Sequence, residues 1–94
     1  QIIRLDLSQA YPDFRLYPNP ARNQIALRYQ LPLQQQLQLE VFDQQGRKVH
    51  RHSIEGGSGI QEYALTLQNW SQGLYLLRVS DSEKVVWERK FVKQ

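Results

Sequence analysis

The stretch LQLEVFDQQGRKVHRHSI, residues 37–54, decides the fold. Leu37, Leu39 and Val41 alternate with polar residues, which is the period-two pattern of a strand with one buried face. Residues 43–46 then predict a turn, because Asp can hydrogen-bond its own backbone and Gly tolerates a positive φ. A second strand-like run continues beyond the turn, so the stretch as a whole predicts a β-hairpin.

Similar patterns extend on both sides of this hairpin. Residues 25–31 precede it and residues 63–67 follow it, each with apolar residues at every second position. Residues 74–79 are nearly all apolar, as expected of a central strand covered on both faces. Residues 85–92 mix β-branched, aromatic and charged residues, which suits a terminal strand with one open edge. Short strands at regular spacing, without a helical period, predict an all-β, immunoglobulin-like antiparallel β-sandwich of about seven strands.

The first fifteen residues differ from the rest. Pro12 and Asp13 separate an apolar start from the strand pattern, so we interpret residues 1–15 as a linker or the end of a preceding domain, and residues 16–94 as one domain. The chain begins with Gln1 and shows no export signal, so we expect it to be a piece of a longer protein.

Composition argues against several classes of protein. The net charge is +3, and the last eleven residues carry all of it. The chain has no cysteine, which excludes disulfides and thiol chemistry, and no apolar run close to the ~20 residues of a membrane-spanning helix. A basic tail can attract nucleic acid, but no nucleic-acid-binding motif accompanies it, so we expect no nucleic-acid partner.

The sequence offers no readable chemical site. His50 and His52 project from one face of a strand and would need a third ligand, such as Glu55, to hold a metal. Exposed strand histidines are far commoner than such sites, so we predict no metal and no cofactor. The carboxylates fall in or beside turns and form no acid–base pair, so we predict no catalytic residue and no enzyme activity.

The segment from Trp70 to Tyr75 is typical of a tyrosine corner. In that motif the hydroxyl of a tyrosine near the start of a strand makes a hydrogen bond to the backbone a few residues upstream. We therefore expect Gly73 to supply a positive φ or a close chain approach and Trp70 to bury its ring against the end of the sandwich. These roles are structural.

The segment Tyr17–Ala21 places Asn19 between two prolines. Each proline fixes its own φ and pushes the preceding residue into an extended conformation. The segment is either a rigid lead-in to the first strand or a recognised peptide.

Taken in order, these pieces resemble the C-terminal sorting domain of the type IX secretion system of Bacteroidetes-type bacteria. The resemblance covers residues 16–93 and rests on four blocks: YPNPA at 17–21, LEVFDQQGRKV at 39–49, LQNWSQGLYLLRV at 67–79 and KFVK at 90–93. Gly46 stands at the family's turn position. Two positions depart from the family: Trp70 replaces a smaller aliphatic residue, and Gln94 extends past the usual terminal lysine.

The resemblance implies a secretion address for an N-terminal passenger. It implies that the folded sandwich is recognised in the periplasm, crosses the outer membrane through the translocon, and is removed by a sortase-like protease. The passenger then resides at the cell surface or outside the cell. The implied contacts for the secretion machinery are Lys90, Phe91, Val92 and Lys93. The implied structural or recognition element is Pro18, Asn19 and Pro20. The residues implied to hold the fold are Gly46, Gly73 and Tyr75. An edge strand could also pair with a partner strand.

Two alternatives keep the same fold. One is a non-catalytic accessory module that binds carbohydrate with Trp70, Trp87 or Tyr63 as a stacking platform. Two of these rings lying coplanar on one open face would favour it, and buried rings would count against it. The other is a permanent part of the secretion machinery that is never cleaved.

Overall fold

The computed structural model describes residues 14–32 and 34–94. These residues form seven strands: β1 (Arg15–Tyr17), β2 (Gln24–Tyr29), β3 (Gln36–Phe42), β4 (Lys48–Glu55), β5 (Gln61–Thr66), β6 (Gly73–Ser80) and β7 (Val85–Lys93). The predicted all-β architecture is confirmed. None of the described residues belongs to a helix that could cross a bilayer.

The strands form two antiparallel sheets. Sheet A has the order β1-β2-β5, and sheet B has the order β4-β3-β6-β7. The predicted hairpin is β3 and β4, in which Leu37 lies opposite Ile54 and Val41 lies opposite His50, with a bulge after Val41. The alternating pattern of residues 37–41 therefore predicts the buried face of β3, and the turn signal at residues 43–46 predicts its pairing with β4.

The core lies between the two sheets. Sheet B contributes Leu39 and Val41 from β3, and sheet A contributes Ile25 and Leu27 from β2; all four are almost completely buried. Burying one such side chain stabilises the fold by about 1.5–3 kcal/mol. Because apolar residues alternate along each strand, one face of each sheet is apolar. Burial of these two faces against each other stabilises the sandwich.

One expectation for β6 is wrong. β6 is a central strand of sheet B, as predicted, but it is covered on one face only. Leu74 is 39% exposed and Leu76 is half-buried on the outer face. Two layers of secondary structure leave the outer face of each sheet in contact with solvent. The apolar residues at these outer positions therefore need an explanation other than burial in the core.

The folded unit begins earlier than residue 16. Phe14 is buried, and its ring stacks on Trp87 with the centroids 5.3 Å apart. Arg15 opens β1 and pairs with Arg28 of β2. Phe14 and Arg15 thus belong to the sandwich, and the remainder of the predicted linker lies outside the described residues.

Candidate site at the edge of the C-terminal strand

The YPNPA segment connects β1 and β2. It leads into the strand that was predicted as the first, which is β2 in the structure because β1 precedes it. The peptide bonds Tyr17–Pro18 and Asn19–Pro20 are cis. Both neighbouring strands belong to sheet A, yet the segment reaches across to β7, the edge strand of sheet B.

Asn19 contacts β7 through both atoms of its side-chain amide. Its Nδ2 donates a hydrogen bond to the carbonyl oxygen of Lys90 at 3.2 Å. Its Oδ1 accepts one from the backbone N–H of Val92 at 3.1 Å. An amide side chain offers one donor group and one acceptor, the same pair that a backbone residue of a neighbouring strand would offer. Asn19 therefore takes the place of a strand residue at this edge.

Ala21 continues the contact through its backbone. Its N–H donates to the carbonyl oxygen of Val92 at 2.8 Å, and its carbonyl accepts from the N–H of Gln94 at 2.7 Å. The pairing is an isolated parallel bridge with Lys93. We call the Asn19 side chain and the Ala21 backbone together the edge clamp.

The edge clamp closes the end of β7. Its partners lie on residues 90, 92 and 94, which alternate with residues whose backbone faces β6. β7 is an edge strand, as predicted, but the expected open edge is wrong for its last residues. A partner strand could pair there only after the hydrogen bonds of the edge clamp had broken.

The side chains of the KFVK block point in two directions. Phe91 is 0% exposed and stacks on Tyr75 at 5.5 Å, and Lys93 is 9% exposed with its Nζ donating to the carbonyl oxygen of Gln94. Lys90 is exposed, and Val92 is 39% exposed. A partner that binds the folded domain therefore meets Lys90 and Val92, while Phe91 holds the strand to the core.

The exposed side chains of this strand adjoin the outer apolar residues of β6. Val92 lies opposite Leu74, and Lys90 lies opposite Leu76. Leu74, Leu76 and Lys90 line a depression of about 270 Å³. We call the four residues Leu74, Leu76, Lys90 and Val92 the Lys90 patch.

Lys90 makes no ion pair within the described part of the chain. Ion pairs there join Arg47 to Asp43, Lys48 to Glu40 and Arg78 to Glu88, and none includes Lys90. Asp43 lines the same depression as Lys90. That carboxylate is already engaged, because its Oδ2 binds Arg47 at 2.8 Å and its Oδ1 accepts two backbone hydrogen bonds. The Lys90 patch thus combines exposed aliphatic surface with one unpaired cation.

The turn of the β3–β4 hairpin has the predicted chemistry. Asp43 Oδ1 accepts hydrogen bonds from the backbone N–H groups of Gln45 and Arg47, both at 2.9 Å. Burial raises the pKa of Asp43, but these hydrogen bonds and the Arg47 guanidinium outweigh it and lower the pKa overall. Gly46 has φ +85°, which confirms the positive φ expected at that position.

The tyrosine corner is also confirmed. The Tyr75 hydroxyl donates to the carbonyl oxygen of Ser71 at 2.7 Å, and Gly73 has φ +146°. A Cβ on Gly73 would lie 2.9 Å from Oε1 of Gln44, but this is the end of an exposed, flexible side chain, so the positive φ is what favours glycine there. Trp70 tilts against Tyr75 with the ring centroids 5.1 Å apart and packs on the core. These residues fix the start of β6, the strand that pairs with β7.

The three aromatic residues considered for carbohydrate binding do not form a platform. Trp87 stacks on Phe14, Tyr63 stacks on His52 and Trp70 tilts against Tyr75. All three are packed against the core, and within the described residues no ring contact joins any two of them. A cleft of about 490 Å³ does lie beside Trp70, but neither Tyr63 nor Trp87 lines it. The geometry therefore counts against a stacking site for sugars.

His50 and His52 take part in packing between the sheets. His50 Nε2 lies 2.8 Å from the Tyr63 hydroxyl, and the His52 ring stacks on Tyr63 at 4.0 Å. Burial lowers the pKa of His50, and the neighbouring His52 lowers it further. In the part of the chain that the structure describes, no cluster of three His, Cys, Asp or Glu residues could hold a metal ion. The two imidazoles thus connect β4 of sheet B to β5 of sheet A.

Sequence reasoning missed the edge clamp. Asn19 and Lys90 are 71 positions apart, and the contact joins a side chain to a backbone, which leaves no periodic signal. The one local hint is the pair of prolines: neither has an N–H, so a donor at residues 18–20 has to come from Asn19.

Comparisons with known proteins give the fold and the family. No curated protein sequence matches the chain. An immunoglobulin-like protein from Pseudomonas aeruginosa superposes with a TM-score of 0.57 at 14% identity, covering 87% of this chain and 90% of that one. The β-glucosidase 3B of Thermotoga neapolitana, solved with glycerol and with glucose, gives a TM-score of 0.50 at 14% identity, and the match covers 87% of this chain but 15% of the enzyme. The immunoglobulin-like fold predicted from the strand pattern is confirmed.

The sequence also matches a family model, described as the secretion system C-terminal sorting domain, over residues 15–94. This range includes all four blocks from which the sorting domain was predicted, together with the edge clamp and the Lys90 patch. The type IX secretion system C-terminal sorting domains are therefore the family to which this chain belongs.

Proposed function

We propose that this sorting domain directs its passenger through the outer membrane by presenting the Lys90 patch to the type IX translocon. The observation that carries the proposal is the exposure of Lys90 and Val92 beside Leu74, with no ion pair to Lys90 among the described residues. Contiguous exposed aliphatic residues beside an unpaired charge are features of a protein-binding surface. The domain acts as an address and not as a catalyst.

The chemistry of the patch defines its partner. The partner should have a carboxylate that pairs with Lys90. Next to that carboxylate it should have an apolar surface that packs on Leu74 and Val92. The edge clamp occupies the backbone groups at the end of β7, so the partner binds through side chains and not by adding a strand.

Family membership implies export to the cell surface or the extracellular space. On this proposal the passenger reaches the periplasm first, and a sortase-like protease then removes the domain. Phe14 is buried in the sandwich and Arg15 is part of β1, so the cut falls before Phe14. A bond inside a folded sheet is a poor protease substrate, because cleavage needs an accessible, extended backbone.

A secretion assay tests the proposal. A periplasm-targeted fluorescent passenger is fused to residues 1–94 and expressed in Bacteroidetes strains with and without a working translocon. We expect fluorescence at the surface or in the medium only in the competent strain. Retention of the passenger in both strains would refute the proposed function.

A charge reversal locates the signal. Lys90→Glu places a carboxylate opposite the carboxylate that we expect on the partner. Because the two like charges repel, we expect the secreted fraction to fall by at least about tenfold. Lys84→Glu is the matched control, because Lys84 is an exposed lysine in the turn just before the other end of β7. Equal secretion of the two variants would mean that the Lys90 patch is not the contact. Substitution is sharper than deletion of residues 90–94, which would also remove Phe91 from the core.

A further inference from the structure

We infer that Asn19 is a positioning residue for the Lys90 patch: its side chain holds the end of β7 in the sheet, so that Lys90 and Val92 face outward. The inference rests on the proposed function, because it concerns the same surface. Asn19 does not itself have to touch the partner. Its role is to fix the strand that does.

The two hydrogen bonds of Asn19 fall on the two residues that supply the patch from β7. Lys90 is held through its carbonyl oxygen, and Val92 through its N–H. Ala21 binds only further along the strand, at the carbonyl of Val92 and the N–H of Gln94. Without the Asn19 amide, the carbonyl of Lys90 and the N–H of Val92 would lose their partners, while the Val92 carbonyl would keep its bond to Ala21.

The register of β7 matters because side chains alternate between faces. A slip by one residue would turn Phe91 outward and Lys90 towards the core. Strand ends fray more readily than strand centres, and among the described residues β6 is the only full strand that pairs with β7. A bulge between Val79 and Ser80 already shifts the pairing at the start of β7. The clamp therefore adds a second constraint at the end of the strand where the patch lies.

The site requires asparagine in particular. One short side chain has to donate to a carbonyl and accept from an N–H at the same time. Aspartate could accept from Val92 but would place its second oxygen against the carbonyl of Lys90. Alanine could do neither, and Pro18 and Pro20 have no N–H to substitute.

Hydrogen exchange on the chain of residues 1–94 tests the contact itself. In Asn19→Ala we expect the Val92 amide to exchange about tenfold faster, the effect of losing one hydrogen bond. The Phe91 amide, which the strand alternation turns towards β6, should exchange at the wild-type rate. Asn19→Asp retains the acceptor but places an oxygen against the Lys90 carbonyl, so it should keep only part of the protection of Val92. Asn23→Ala is the control, since Asn23 is exposed and its backbone carbonyl, which binds Leu67, remains.

The secretion assay on the same variants tests the positioning role. We expect Asn19→Ala to lower the secreted fraction at least about threefold, Asn19→Asp to fall in between, and Asn23→Ala to match the wild type. Unchanged Val92 exchange in Asn19→Ala, or unchanged secretion despite faster exchange, would overturn the inference. So would equal acceleration at Phe91, which would make Asn19 a general structural residue. A wild-type fusion that is not secreted would instead overturn the proposed function, and the positioning role with it.

Discussion

At the scale of single residues, the same residue type has different roles because its surroundings differ. Lys90 and Lys93 belong to the same four-residue block, yet Lys90 is exposed without an ion pair in the described residues and Lys93 is almost buried. The alternation of a strand separates them, since residues three apart lie on opposite faces. Composition shows a basic tail, but only the strand shows which lysine a partner can reach.

His50 makes the stability of the domain depend on pH. Burial and His52 lower the pKa of folded His50 below its ordinary value of 6.5, so the unfolded chain binds the proton more readily. The free energy of unfolding should therefore decrease as the pH falls from above 6.5, and this contribution should level off once the pH is below the lowered pKa. Urea unfolding of the wild type between about pH 8 and about pH 5 measures it.

The matched variant for this titration is His50→Gln, which removes the ionisable group but can still bind the Tyr63 hydroxyl. We expect its free energy of unfolding to vary less over the same pH range. The interpretation fails if the wild type becomes more stable on acidification, or if the variant follows the wild-type curve.

At the scale of the elements, the strands could be predicted from sequence because their signal is local. The period-two pattern of residues 37–41 marks both the strand and its buried face, and the Asp and Gly of residues 43–46 mark the turn. The pattern failed at β6, where Leu74 and Leu76 look like core residues but lie on an outer face. Hydrophobicity alone cannot distinguish a residue that is buried in the core from one that is available to a partner.

Gly46 and Gly73 should differ in their tolerance of a side chain. At Gly46, with φ +85°, an added Cβ would meet no atom within 4 Å, so Gly46→Ala should cost only the backbone term, about 1 kcal/mol. At Gly73, φ is +146°, in a region open essentially only to glycine, so Gly73→Ala should cost about 2–3 kcal/mol. The contact with Oε1 of Gln44 adds little to this cost, because the end of that exposed, flexible side chain can move away. Urea unfolding of both variants gives the comparison. A loss at Gly46 equal to or larger than that at Gly73 would contradict this account of the corner.

At the scale of the whole molecule, the candidate site depends on both ends of the domain. The edge clamp comes from the connection between two strands of sheet A, and it fastens the last strand of sheet B. Sequence reasoning could identify the two blocks and their family, because each block is contiguous. It could not bring them together, because their contact depends on how the two sheets stack, and no residue pattern near Asn19 encodes that.

The way β7 is packed in the sandwich explains why the sorting signal is a folded domain and not a short tail. Phe91 and Tyr75 anchor β7 to the core, the edge clamp closes its edge, and Lys90 and Val92 remain outside. The same four residues in an unfolded segment would present all their side chains at once. Folding therefore selects which side chains of the block a binding partner can contact.

The most direct test of the central claim compares two exposed valines of β7. Val92, in the Lys90 patch, is 39% exposed, and Val85, at the other end of the strand, is 44% exposed. Both are changed to aspartate in the passenger fusion, and the secreted fraction is measured in the translocon-competent strain. We predict that Val92→Asp lowers secretion at least about tenfold, because it places a buried charge in the contact, while Val85→Asp secretes like the wild type. Equal secretion of the two variants would contradict the claim that the Lys90 patch is the surface recognised for export.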